Sequence, residues 1–166
     1  MKTDTVSKYF FSCFLLTIPI MVWNILLTNK LPAVFQPETF WKDIPPLIAY
    51  GENISRLLVF ACTLLMPLRI ETLKQKKGLM LYTIGLLLYI TSWLIIIYSL
   101  TGVWSNSLAG FMAPAYTPLL WLLGIGLIGD AFYFNFPFRP WIFMLIAIVF
   151  LVFHNLHTFL IYSRMY

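Results

Sequence analysis

Five apolar runs dominate the chain, at 9–28, 46–68, 79–100, 114–134 and 141–162. Each has the roughly 20 residues that an α-helix needs to cross a hydrocarbon core. Lipid offers no partners to backbone N–H and C=O groups, and a helix satisfies them within one segment. The expectation is an all-α, polytopic membrane bundle of five transmembrane helices, forming a single membrane domain over residues 1–166. Proline placement agrees. Pro45, Pro46, Pro114 and Pro140 stand at or just before helix starts, where a missing N–H does little harm. Gly78 and Gly102 are expected at helix boundaries.

Composition supports lipid as the solvent: 61% of residues are hydrophobic and 10% are charged. A soluble domain of this length could not cover so much apolar surface, and large exposed patches drive association. Nearly every residue falls in a run or a short connector, which leaves no room for a soluble catalytic domain. The formal net charge is +5, but the basic residues are not gathered on one soluble face, so nucleic acid is not an expected partner. Cys13 and Cys62 lie inside apolar runs and read as small core residues, not as a disulfide framework.

Lys and Arg set the expected orientation. Lys2 and Lys8 precede the first run, Arg69, Lys74, Lys76 and Lys77 fill the second connector, and Arg139 lies in the last. Lys30, Lys42 and Arg164 fall on the other side. The N-terminus is therefore expected inside and the C-terminus outside, in the inner (cell) membrane if the source is bacterial. The Lys74–Lys77 patch reads as a topology signal that could also meet anionic lipid heads. The first run has the basic lead of a signal peptide, but no A-x-A-like site follows and its apolar part is long for one. The connector 29–44, with Phe35, Phe40 and Trp41, reads as an interfacial loop with a short amphipathic turn. The uncharged connector 101–113 is expected at the interface.

Glu52 and Arg56 interrupt the second run one helical turn apart, and ionisable groups at that depth are costly and commonly functional. At about 1.5 Å rise per residue, Glu52 lies roughly 9 Å and Arg56 roughly 15 Å below the outer edge. The fifth run travels the other way and brings His154 to roughly 10 Å and His157 to roughly 6 Å below the same edge of a core about 30 Å thick. Glu52, Asn53, Arg56, His154, Asn155 and His157 thus share one depth, which places the second and fifth helices side by side around a polar site. Glu52 and Arg56 are i,i+4, and His154 and His157 are i,i+3, so each pair shares a face. Trp23, Asn24, Trp93, Tyr98, Tyr116, Thr117 and Trp121 fall at similar depth. Apolar walls with a few convergent polar groups describe a small-molecule pocket.

The ligand-binding set expected from this pattern is Glu52, Asn53, Arg56, His154, Asn155, His157, Tyr98 and Tyr116. The catalytic candidates, if the site is an active site, are Glu52, His154 and His157. The same residues also read as a structural ion pair with two interfacial histidines. Two imidazoles and a carboxylate are a common zinc set, but without an H-E-x-x-H frame no metal and no cofactor is expected. Ser55, between Glu52 and Arg56, has only shared depth to link it to His154 as a nucleophile. Gly124, Gly126 and Gly129 read as close-packing positions, and Asp130 as an interfacial acid facing water or Arg139.

Three functions fit. The first is binding or translocation of a small amphiphile, lipid or lipid-linked molecule in an outward-facing pocket. The second is a membrane-embedded enzyme with Glu52 or a histidine as general acid/base. The third is an accessory subunit whose polar residues meet a larger membrane complex. Expected partners are membrane lipid, a hydrophobic small molecule, and a second copy or a larger complex.

Overall fold

The computed structural model describes residues 11–133 and 140–165. These form an all-α helical bundle. Among them there is no strand, and one isolated β-bridge joins Ser12 to Pro67. We number the five principal helices α1 (Ile18–Leu27), α2 (Pro46–Leu65), α3 (Leu73–Tyr98), α4 (Pro118–Ile128) and α5 (Pro140–Met165). With its flanking 3-10 turns, α1 belongs to a continuous helical stretch, Cys13–Lys30. Among the described residues four segments are long and apolar enough to cross a membrane: Cys13–Lys30, Pro46–Leu65, Leu73–Tyr98 and Trp141–Met165. By length and composition this is the build of an integral membrane protein. The expected run ends Tyr9, Phe10 and Phe134, and the topology charges Lys2, Lys8 and Arg139, lie outside the described residues.

The fourth apolar run differs from expectation. It is a shorter helical stretch, Ala113–Ile128, broken between the turn Ala113–Tyr116 and α4. Pro118 is the reason: it has no N–H to give the carbonyl of Pro114, and its ring crowds that carbonyl. The stretch stops at Ile128, beyond which Gly129 is extended. The third run also differs. Its helix starts at Leu73, not at 79, because Thr72 and Gln75 form a reciprocal capping box that satisfies N–H groups left open by the first turn. Lys74, Lys76 and Lys77 therefore sit on the first turns of α3, exposed.

Gly78 consequently lies inside α3, not at its boundary, whereas Gly102 caps the one-turn helix Val103–Asn106. The role of Gly78 is to let α3 and α4 touch. A Cβ at Gly78 would lie 2.8 Å from Leu127 Cβ, one at Gly85 would lie 2.4 Å from the Trp121 backbone nitrogen, and one at Gly124 would lie 2.5 Å from the Tyr82 nitrogen. Small residues at a crossing allow backbones to approach in this way. Gln75 ties the same pair at one end: its Oε1 accepts from the Glu71 and Thr72 N–H groups, and its Nε2 donates to Ile128 O and Asp130 Oδ2. Gln75 is thus the described partner of Asp130.

α5 packs on both α2 and α4. Gly51 provides the close contact with α2, since a Cβ there would lie 2.6 Å from the Phe153 ring. α1 is held differently. Tyr82 donates to Leu16 O at 2.7 Å and Tyr89 to Asn24 Oδ1 at 2.6 Å, while most of the outer face of α1, Ile25 and Leu26 included, is exposed. The connector 28–45 folds over one end of the bundle through a 3-10 turn, Ala33–Phe35, and a one-turn helix, Pro37–Phe40. Phe35 packs with Ile96, Phe111 and Ile161 there, forming a small second core.

Gly85→Ala tests the α3–α4 crossing. Alanine favours a helix by about 1 kcal/mol over glycine, so a free helix would gain. Here the added methyl meets backbone, and we expect a net loss of about 1–3 kcal/mol, read as a lower melting temperature in detergent.

Candidate functional site

The site is built around one carboxylate. Glu52 is fully buried on α2. Its Oε1 accepts from Arg56, one turn along the same helix, and lies 3.0 Å from His154 Nδ1. Its Oε2 lies 2.6 Å from His157 Nδ1. The i,i+4 and i,i+3 spacings put the two pairs on facing sides of α2 and α5, as depth alone led one to expect.

His157 is also fully buried, and its second nitrogen, Nε2, lies 2.8 Å from the Phe40 carbonyl. A carbonyl only accepts, so Nε2 carries a hydrogen. Two bare acceptors cannot face each other at the Nδ1–Oε2 distance, so a proton lies between His157 and Glu52 as well. Its exact seat does not alter the local charge. On nitrogen it leaves one anion facing two cations, and on oxygen it leaves two neutral groups beside Arg56. Glu52, Arg56 and His157 together carry one net positive charge in either case.

The connector is part of the site. Phe40 and Trp41 pack on the His157 ring, with centroids at 4.2 and 4.6 Å. Farther along α5, Arg164 donates to the carbonyls of Lys42 and Asp43 at 2.8 and 2.6 Å. Asp43 adopts a left-handed backbone, φ 56°, the bend that turns both carbonyls toward Arg164.

Beside the cluster lies a cavity of about 300 Å³. α1 contributes Ile20, Met21, Asn24 and Leu27, and α2 contributes Arg56, Val59 and Phe60. Tyr89, Trp93, Trp121, Phe150, His154 and Thr158 line the remaining helical walls, and Leu31, Phe35 and Phe40 roof it from the connector. Among the described residues Arg56 is the one Lys or Arg in the lining. Its guanidinium sits between the rings of Trp41 and Phe150, 5.9 and 5.7 Å from their centroids, where ring faces attract a cation. The Arg56 side chain keeps 35% of its surface accessible, against none for Glu52. Trp121 also lines the cavity. It is 6% exposed and its indole N–H has no hydrogen-bond partner.

The expected site residues divide into three groups. Arg56 and His154 line the cavity, while Glu52 and His157 stand behind them and hold them. Asn53 is exposed, about 100° round α2 from Glu52. Asn155 braces α5 against the neighbouring turn, donating to Ala115 O at 3.1 Å and Leu151 O at 2.8 Å. Tyr98 is 73% exposed, and Tyr116 is exposed and donates to Ala109 O. None of these four lines the cavity. The Ser55 hydroxyl donates back to Gly51 O at 2.6 Å instead of to a histidine. Among the described residues no group of three or more histidine, cysteine or acidic side chains is arranged to hold a metal. His157 illustrates why, since both its nitrogens already have partners. Cys13 and Cys62 are free.

Phe40, whose carbonyl orients His157, had no signal in the sequence, because any residue there supplies the same group. No known protein family, curated protein or solved structure matches this chain.

A double-mutant cycle tests the charge arrangement. Glu52→Ala strips Arg56 and both histidines of their shared acceptor, and we expect it to cost about 3–5 kcal/mol. Adding Arg56→Met should recover much of that loss, so the double variant melts above Glu52→Ala. With the Arg56→Met single variant completing the cycle, losses that simply add would show that Glu52 and Arg56 are not coupled.

Proposed function

We propose that this protein binds, or helps to translocate, a small amphiphile, lipid or lipid-linked molecule in a pocket within the outer half of the membrane. Arg56 meets an acidic head group. Glu52 holds Arg56 and His154 in place, and the aromatic walls take the apolar part. The assignment to the outer half follows from the basic residues, which favour an inside N-terminus and an outside C-terminus. In a bacterial source the membrane is the inner one.

One observation carries this reading: a partly accessible cation, Arg56, held by the buried Glu52–His157 pair and lining an apolar cavity. An unmatched charge in a low-dielectric setting is expensive, and an anion in the cavity would neutralise it. The cavity also has the usual make-up of a ligand site, mostly hydrophobic and aromatic walls with few polar groups. A purely structural ion pair would need no such space beside it.

Native mass spectrometry of the protein released from its own membrane tests the reading, with wild type beside Glu52→Gln and Arg56→Ala. The expected result is a small non-protein mass on wild type that both variants lack. A stoichiometric second polypeptide in its place, lost in the variants, would make the cluster an assembly interface.

A further inference from the structure

We infer that the pocket takes a single-chain amphiphile with a terminal carboxylate, of the chemical class of fatty acids, and excludes lipids with two chains. This rests on the proposed binding function and narrows its ligand. Three features of the cavity point the same way.

Size is the first. At about 300 Å³ the cavity stands at the lower end of the roughly 300–1,000 Å³ range of small-molecule sites. A glycerolipid branches into two chains close to its charged end. The Arg56 guanidinium, at the charged wall, has the Trp41 and Phe150 rings 5.9 and 5.7 Å away. An unbranched chain behind a flat head needs less of this small volume beside Arg56 than a branched one does.

Charge is the second. The cluster of Glu52, Arg56 and His157 carries one net positive charge wherever its shared proton sits. A monoanion balances it, and a phosphate monoester of higher charge would leave the cavity negative. A guanidinium presents a planar fork of donors that matches a carboxylate in two parallel hydrogen bonds.

The third is an unpartnered donor. The Trp121 indole is buried and lines the cavity, and its N–H, like that of Trp93, finds no acceptor among the described residues. An indole N–H only donates, and a buried donor left without a partner carries a desolvation cost. A carboxylate has lone pairs enough for Arg56 and for Trp121 together. The chain then lies along α1, whose Met21 and Asn24 line the cavity and are exposed, and in the proposed complex the tail continues past that wall toward lipid.

Fluorescence quenching tests the inference on the full-length protein in nanodiscs of neutral lipid. Bromine quenches indoles on contact, and Trp93 and Trp121 both line the cavity. The probes are dibromostearate, its methyl ester, and a phosphatidate carrying two brominated chains. Saturable quenching by the free acid, with the ester and the phosphatidate at least tenfold weaker, is the expected result. Arg56→Gln should weaken the acid at least tenfold and leave the ester unchanged. Trp121→Phe keeps the ring and should weaken the acid alone, by about tenfold, the loss of one hydrogen bond to a charged group.

Equal binding of acid and ester, or of acid and phosphatidate, would overturn the inference while leaving a lipid pocket in place. Unchanged acid binding in Trp121→Phe would overturn the assignment of that donor. If no brominated chain quenches saturably, the binding function fails together with the inference.

Discussion

The burial of one carboxylate constrains the rest of this structure. Removing an ionised group from water costs several kcal/mol even after relaxation, and the cost is offset only where geometry supplies close partners. Glu52 has three: Arg56 on its own helix, and His154 and His157 on α5. Because the histidines are i,i+3, both reach the acid only if α5 meets α2 at one height and one rotation. The acid therefore fixes the register of two helices whose apolar surfaces alone would permit sliding. Through His157 the same constraint reaches the connector, since Phe40 must present its carbonyl to Nε2. The roof of the cavity and the floor of the ion cluster are one hydrogen-bonded chain.

Around that chain the bundle divides by how its helices are held. α3 and α4 mesh through Gly78, Gly85 and Gly124 at backbone contact, which leaves no space between them. α1 is held to α3 by two tyrosine hydroxyls instead, one near each end. Hydrogen bonds from long side chains act as spacers, whereas glycines draw helices together. The cavity lies where spacers replace glycines. It is walled by large rings whose shapes do not fill it, and it lies against α1, the principal helix with most of its outer face exposed. The polar cluster and the space next to it thus have separate physical origins, which is why a site cannot be inferred from the charges alone.

Depth along a helix is legible in a sequence, and direction around it is less so. Counting residues from the helix ends placed Glu52, Arg56, His154 and His157 together, and i,i+4 and i,i+3 spacings gave their shared faces. The same count admitted Asn53 and Asn155, which stand at the right height but one residue, about 100°, round from Glu52 and His154. Without knowing which face of each helix turns inward, depth cannot separate them. Tyr98 and Tyr116 entered on depth as well, yet both are exposed. The early start of α3 was readable in principle from Thr72 and Gln75, a capping pair ahead of an apolar run. The break at Pro118 was masked by the hydropathy of its neighbours. The part played by Phe40 lay beyond any sequence reading, because a backbone carbonyl has no residue type.

The arrangement around Arg56 fits the proposed recognition better than a purely stabilising role. A buried ion pair is seldom more stabilising than apolar residues of the same volume, so stability alone does not account for it. Two features keep the positive charge available. His157 shares the charge of Glu52, so that the carboxylate orients Arg56 without cancelling it. The rings of Trp41 and Phe150 favour a cation between them but supply no lone pair to occupy its donors. A guanidinium has five N–H groups, and Glu52 engages only one of its nitrogens. Arg56 lines the cavity with donors left over, and the Trp121 indole, also in the lining, has no hydrogen-bond partner among the described residues. A structural ion pair closes on itself. This one is held open on one side, and that side is the cavity.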